Sequence, residues 1–326
     1  MAITAGYHRL FSHRTYEASL PVRLFYIFFG AGAFQDSIIT WCTDHRYHHN
    51  YTDTEKDPYN AQRGFWFSHM GWMLSKKTPV DAKKGELMTR DLRKDPWVLF
   101  QHKYYTAYAL FSGFLTPALI GWCFGEAYSA FLFAGLFRTV MVHQYTFLIN
   151  SAAHKWGRQT YGTRFSAKDN ALLSFFTYGE GYHNFHHHFQ NDYRNGVKWY
   201  DFDPTKWMIY GFKKMGLAHS LRKAPDHEII QARIFEEYRL LNTAKLVKPI
   251  KEKLDQIQHK VNVCSDKFKK MQSEYIRLAS ELRDEKDHRL KMMQIELYAL
   301  RKEIKVNYRH WQKMMSLIQR TSLVRA

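Results

Sequence analysis

The chain has 326 residues, of which 45% are hydrophobic and 17% aromatic, with a mean hydropathy of −0.48. Lys and Arg number 48 against 30 Asp and Glu, a net charge of +18, and both the first 225 residues and residues 226–326 are basic. This composition excludes a disulfide scaffold, a collagen and a fully disordered chain, and it leaves anionic lipid, phosphate-bearing substrates and nucleic acid open as partners.

The opening residues, Met1-Ala-Ile-Thr-Ala-Gly, lack the charged start and long apolar core of a signal peptide. Residues 24–34 form an apolar run of 11, too short to span a bilayer unaided and suited to a buried or interfacial helix. Residues 104–125 carry no charge over 22 positions. At about 1.5 Å rise per residue, such a helix crosses a hydrocarbon core of ~30 Å. Pro117 would kink that helix without forbidding the span. A second apolar stretch, 127–153, is interrupted by Arg138 and His143, and ionisable groups at membrane depth usually face protein or function. Together, 104–125 and 127–153 read as a transmembrane hairpin; the alternative is two buried helices of a soluble bundle.

Beyond Leu221 the character changes. From Ile250, apolar residues recur at alternating spacings of four and three through Leu254, Ile257, Val261, Cys264 and Phe268. The charged segment 283–289 interrupts this heptad, which resumes out of phase at Leu290. Pro249 stands where a helix would begin. Two halves folding back as a hairpin fit this pattern. So does one long helix with a phase shift that pairs with another chain, and the lack of Gly or Pro in 283–289 favours the long helix. A lone amphipathic helix lying on the membrane is a third reading. Acidic residues interleave with the basic ones here, as on a solvated coiled-coil face, so no nucleic-acid partner is expected. The expected fold is all-α: an integral membrane helical protein with a cytosolic histidine-rich domain over residues 1–235 and a coiled-coil extension over 236–326.

Cys42, Cys123 and Cys264 are far apart and form no Cys-x-x-Cys pair, so no thiol metal site is indicated. Histidine is the unusual residue, with 18 in all and 13 before residue 189. His8 and His13 form a His-x-x-x-x-His pair. His45, His48 and His49 form a His-x-x-His-His triplet, and His183, His186 and His187 form another. On a helix, positions i, i+3 and i+4 share one face, so each triplet aims three imidazoles at one place. Eight such histidines exceed the four ligands of a tetrahedral zinc, and imidazole suits zinc, iron, copper and nickel alike. Two metal ions side by side is the economical reading.

These segments lie within longer motifs. Ile3-Thr-Ala-Gly-Tyr-His-Arg-Leu-Phe-Ser-His-Arg, Asp44-His-Arg-Tyr-His-His with Asp57-Pro-Tyr-Asn, Arg63-Gly-Phe-Trp-Phe-Ser-His-Met-Gly-Trp-Met-Leu, Asn150-Ser-Ala-Ala-His154 and Gly179-Glu-Gly-Tyr-His-Asn-Phe-His-His follow in order. In them the chain resembles the membrane fatty acyl-CoA desaturases of the stearoyl-CoA Δ9 type, over about residues 2–235. The resemblance implies an oxygen-dependent enzyme that inserts a cis double bond into a long-chain acyl-CoA at a diiron centre. Its metal ligands would be His8, His13, His45, His48, His49, His154, His183, His186 and His187, with Asn150 holding a metal-bound water. No catalytic side chain beyond the metal site is implied. His188 lies where the family has no ligand, His69 reads as structural or hydrogen-bonding, and His143 as packing or supporting the site.

The resemblance further implies an apolar tunnel whose bend is clasped by Gln35, Trp41 and Thr146. Lys76 and Lys77 would meet the coenzyme A phosphates, although by composition alone they are an inside-positive anchor. Asp36 and Thr43 replace the family's usual Asn and Arg at the coenzyme A head, so another acyl carrier stays open. The chain carries no haem, dinucleotide or iron–sulfur motif. Electrons are therefore expected from an external cytochrome-b5-type protein or a ferredoxin, drawn to the basic surface. The expected location is the endoplasmic reticulum of a eukaryote or the inner membrane of a bacterium, with the site on the cytosolic side. The family places two transmembrane helices before the first histidine box, and Met1 stands where the second would end. This leads to the expectation of an incomplete reading frame or a halved anchor. A diiron fatty-acyl hydroxylase and a truncated, non-catalytic coiled-coil membrane protein are the alternative readings.

Overall fold

A computed structural model describes the chain except residues 76–79, 243–244, 247, 282–287, 321–323 and 326. The chain forms two compact units: residues 1–159 with 163–223, and residues 160–162 with 224–326.

In the first unit, α1 (Ala2–Ser12) is wound in wide π-type turns and is almost wholly buried. It packs against α2 (Leu20–Ala31), whose Pro21 occupies the first turn, where a missing N–H costs nothing. The next helix, α3 (Ile38–Tyr51), starts at Ser37, whose Oγ accepts from Thr40 N. Helix α4 (105–122) continues through wide turns at Phe111–Leu115, and α5 (Ala127–Lys155) follows after a turn at Gly125. Among the unit's shorter helices are α6 (His183–His188) and α7 (Pro204–Lys214), the latter capped by Asp203. One antiparallel ladder, β1 (Glu17–Ala18) with β2 (Ala218–His219), ties the end of the first histidine segment to the end of the unit. The core collects Tyr7, Tyr16, Tyr26, Ile38, Ile39, Cys42 and Ile209.

Among the described residues, one helix is long and apolar enough to cross a membrane, Ala127–Lys155. The other limb of the predicted hairpin is helical and packs beside it, but does not reach that mark on length and hydropathy together. The apolar run at 24–34 falls largely on α2, which buries Tyr26 and Ile27 and exposes Phe25 and Phe29. Outward-facing Phe111, Leu115, Ile120, Phe133 and Phe137 continue this apolar surface along α4 and α5. Water disfavours so many large apolar side chains on one surface.

The second unit is built from α8 (Asp226–Asn242), α9 (Lys248–Glu281) and α10 (His288–Arg320). Pro249 lies in the first turn of α9. Lys267 pairs with Glu296 at 2.8 Å and Arg289 with Glu274 at 2.9 Å, so α9 and α10 run antiparallel. α8 lies against both: Gln231 Nε2 donates to Asn262 Oδ1 at 3.0 Å, and Trp311 Nε1 donates to Glu237 Oε2 at 2.6 Å. The heptad residues Leu254, Ile257, Val261, Phe268, Leu300, Ile304 and Trp311 form one core with Ile230 and Ile234.

The single long helix expected from 283–289 is therefore corrected to two helices folded back on each other. The phase shift gives the reason. A straight helix would carry its two apolar stripes on different faces, whereas a hairpin turns both into one core. The stretch of that seam from Leu254 to Phe268 is buried against helices of the same chain. Residues 282–287 themselves lie outside the described residues. Trp311 is fully buried, so Trp311→Ala is expected to destabilise this bundle by about 3–5 kcal/mol. Limited proteolysis of the full chain should then cut α9 and α10 readily; unchanged protection would show that Trp311 is not a keystone of the core.

Candidate metal centre

The histidine boxes meet inside the first unit. α1 carries His8 with His13 just past its end, α3 carries His45, His48 and His49, α5 carries His154, and α6 carries His183, His186 and His187. The nine imidazoles sort into two groups whose candidate ligand atoms all lie within 4.8 Å of one another. One group is His8, His13, His45, His49 and His186; the other is His48, His154, His183 and His187. Each triplet is divided between them. His45 and His49, one turn apart, enter the first group, while His48 enters the second. His183 and His187 enter the second, while His186 enters the first.

Within the first group, Nε2–Nε2 separations are 3.0 Å for His8–His186, 2.8 Å for His13–His45 and 3.0 Å for His49–His186. Within the second they are 3.4 Å for His48–His187 and 3.1 Å for both His154–His183 and His183–His187. Two ring nitrogens at such a distance can share at most one proton. Nine converging nitrogens therefore cannot satisfy one another, and their lone pairs suit a cation. Burial, then the neighbouring imidazoles, push His45, His49, His183, His186 and His187 well below the usual histidine range. The same two causes, with Arg46 and Arg9 adding to them, lower His13. The rings are thus held neutral, the form that binds metal.

The outer nitrogens of three rings have a polar neighbour. His48 Nδ1 lies 2.8 Å from Asp57 Oδ1, His8 Nδ1 lies 2.8 Å from Glu180 Oε2, and His154 Nδ1 lies 2.7 Å from Ser166 Oγ. An Nδ1–H engaged in this way leaves Nε2 as the inward acceptor. Burial favours a protonated Asp57, yet His48 and the backbone N–H groups of Tyr59 and Asp53 outweigh it and lower its pKa. Ser166 is gripped in turn by Asp53, whose backbone takes a positive φ of 64°.

Glu180 anchors a wider buried network. Its Oε1 accepts from Arg9 Nη2 at 2.9 Å and its Oε2 from Asn195 Nδ2 at 2.8 Å. The Arg9 guanidinium also meets both Asp203 oxygens and donates to Tyr193 O at 2.8 Å. Burial raises the Glu180 carboxyl, but His8 and Arg9 overcome it and hold it down to about 2. Gly179, at φ +99°, lets this segment pass Asp203, because a Cβ there would sit 2.5 Å from Asp203 Oδ1.

A cavity of about 510 Å³ opens onto both histidine groups, with His8, His45, His48 and His183 in its wall. Gln35, Trp41, Thr146 and Asn150 also line it, among apolar Phe29, Ala33, Val142, Phe147 and Ile149. Gln35 bridges two elements. Its Nε2 donates to Thr146 Oγ1 at 2.8 Å, and its Oε1 accepts from Trp41 Nε1 at 3.3 Å. The Trp41 ring stacks on His45 at 4.8 Å.

His188 is exposed against Phe189 and belongs to neither group. His69 bonds Ser151 Oγ at 3.0 Å and Gln144 Oε1 at 3.1 Å. His143 lines the cavity. Thr43 Oγ1 is turned back onto Ile39 O, and Asp36 Oδ1 accepts from Ser37 N. Lys76 and Lys77 lie outside the described residues. The sequence reading did not single out Glu180, Asp57, Asp53, Ser166 or Arg9. Glu180, Asp57 and Arg9 stand within or beside the boxes, which is a signal. Asp53 and Ser166 are 113 residues apart and carry none.

The fatty acid desaturase family model matches residues 1–220. The chain belongs to the fatty acid desaturase family. It is 45% identical over 246 residues to "Acyl-CoA desaturase 1" of Saccharomyces cerevisiae, an alignment covering 75% of this chain and 48% of that protein. It is 44% identical over 243 residues to "Probable acyl-CoA desaturase" of Schizosaccharomyces pombe, covering 74% and 50%. Against "Stearoyl-CoA desaturase" of Sus scrofa the identity is 41% over 233 residues, covering 71% and 65%. The chain thus spans about half the length of the yeast relatives it matches. All nine converging histidines of this chain, and the Gln35 bridge, fall within the matched residues.

Proposed function

We propose that this chain carries out oxygen-dependent desaturation of a long-chain fatty acyl-CoA, placing a cis double bond in the Δ9 manner at a histidine-held diiron centre. The observation that carries this reading is the junction of an apolar cavity with two groups of inward-facing imidazoles. His8, His13, His45, His49 and His186 would hold one iron. His48, His154, His183 and His187 would hold the other, with Asn150 reaching it through a water. The iron pair, with O2 and electrons from an external donor protein, supplies the oxidising power for an unactivated methylene, which no side chain possesses.

The chain's own residues bind and orient. The apolar wall takes the acyl chain out of water, and the Gln35 amide, fixed between Trp41 and Thr146, sets where that chain bends. Asp57, Glu180 and Ser166 keep His48, His8 and His154 in the tautomer that faces inward. The exposed apolar faces of α2, α4 and α5 support a membrane location. We further assign the first unit to the desaturase domain and the helices α8 to α10 to a helical extension.

The full chain, expressed in cells lacking their own Δ9 desaturase beside a His186→Ala control, tests this. New 9-unsaturated acids are expected, absent from the control, with double-bond position read by mass spectrometry of derivatised esters. Hydroxylated acids instead would move the assignment to the related hydroxylase chemistry. Membrane-bound protein without any new product would overturn the enzymatic reading.

A further inference from the structure

The segment between α2 and α3, residues 32–36, is strained and tightly held. Phe34 and Asp36 both take left-handed backbone conformations, φ 55° and 75°, on either side of Gln35. Non-glycine residues hold such conformations only where the surroundings over-determine them, and such positions cluster at functional sites. Here the surroundings are α4 and α5. Pro117 has no N–H to give Gly113 O four residues earlier. Arg138 Nη2 bonds that carbonyl at 3.1 Å and Gly32 O at 2.9 Å. His143 Nε2 lies 2.8 Å from Ala33 O and 3.1 Å from Phe34 O. Thr146 Oγ1 accepts from Gln35 itself. Arg138, His143 and Thr146 thus take the successive residues 32 to 35 from one side of α5. The Phe34 ring stacks on Phe114 at 4.7 Å, and Asp36 N donates to Tyr105 Oη at 2.9 Å.

From this geometry we infer that His143 is a positioning residue for the reaction: its ring N–H, shared by the Ala33 and Phe34 carbonyls, locks the strained turn that presents Gln35. Two carbonyls can be served at Nε2 only by an N–H, so that nitrogen is the donor. The turn fixes the Gln35 amide relative to His8, His45 and His48 in the same cavity wall. Loosening it lets the bend of the acyl chain slide along the cavity, and a featureless hydrocarbon offers nothing else to stop it. His143 therefore governs where the double bond falls rather than whether it forms. This inference rests on the desaturase reading above.

The test is product regiochemistry from the full chain. If the unsubstituted chain makes no unsaturated acid, the desaturase reading fails before His143 is reached. If it does, His143→Leu is expected to give a mixture of neighbouring double-bond positions, with the preference for the wild-type position falling roughly tenfold, equivalent to about 1.4 kcal/mol. His143→Gln places an amide N–H near the same point and is expected to restore the single position. Phe114→Ala, which removes the ring behind Phe34 without touching the cavity, is expected to broaden the product as His143→Leu does, and it serves if the leucine variant does not accumulate. Unchanged regiochemistry in both His143→Leu and Phe114→Ala would overturn the inference. So would a glutamine variant as unselective as the leucine one, since shape and not N–H donation would then be at issue.

Discussion

Replacing Glu180 with leucine is expected to cost the first unit about 3–5 kcal/mol, the usual penalty for removing one member of a buried ion pair. Glu180 is 2% exposed and is engaged by His8, Arg9 and Asn195. Without it, the Arg9 guanidinium keeps Asp203 as its single acidic partner, and the Asn195 amide loses its acceptor. Domains are stable by only about 5–15 kcal/mol, so this loss is a large fraction of the whole. The second consequence reaches the proposed metal centre. His8 loses the carboxylate that orients Nδ1, and removal of such supporting partners lowers metal affinity by about 10–100-fold. Glu180→Gln keeps the size and one acceptor oxygen but turns an amide N–H₂ towards groups that already donate, so an intermediate loss is expected. Thermal midpoints and iron content of the detergent-solubilised protein measure both effects. A leucine variant with the wild-type midpoint and a full metal complement would show that the network is ornamental.

Some of this site is legible in the chain before any coordinates. The triplets at His45 and His183 are legible because spacings of three and four share one helical face. The division of each triplet is not. Which of three neighbouring imidazoles joins which group depends on how α3, α5 and α6 cross, and crossing is a tertiary property. His154 emerges from resemblance rather than spacing, since α5 carries no other histidine of the two groups. Ser166 carries no mark at all: a serine between Phe165 and Ala167 matters only because Asp53 lies beside it in space. The core residues of the second unit are readable from heptad spacing, but their partner is not. The phase shift across 283–289 favours a hairpin, which brings both stripes into one core, and α8 adds Ile230 and Ile234 to that core. The absence of glycine or proline was the weaker cue, because a charged segment can end a helix when both flanking stripes gain burial by folding back.

Acidification is expected to unfold the metal-stripped first unit far more steeply than an ordinary helical domain. His13, His45, His49, His183, His186 and His187 all have folded-state pKa values well below the usual histidine value. An unfolded histidine takes up its proton near pH 6.5. Below that pH the unfolded chain binds protons that the folded chain refuses, so stability falls as pH falls. Above about pH 7 the rings are neutral in both states and no dependence on these groups remains. Each such histidine adds up to about 1.4 kcal/mol per pH unit within its window, and six act together. Bound metal opposes this, because it binds the folded, neutral imidazoles and stabilises them by mass action. Thermal midpoints of chelator-treated protein should therefore hold steady from pH 8 to 7 and drop sharply towards pH 5.5. Protein reloaded with ferrous iron should begin its decline at a lower pH and release iron as it does so. Equal midpoints for stripped protein at pH 7.5 and 5.5 would mean that the converging imidazoles are not held neutral. The physical case for a metal centre here would then lose its main electrostatic support.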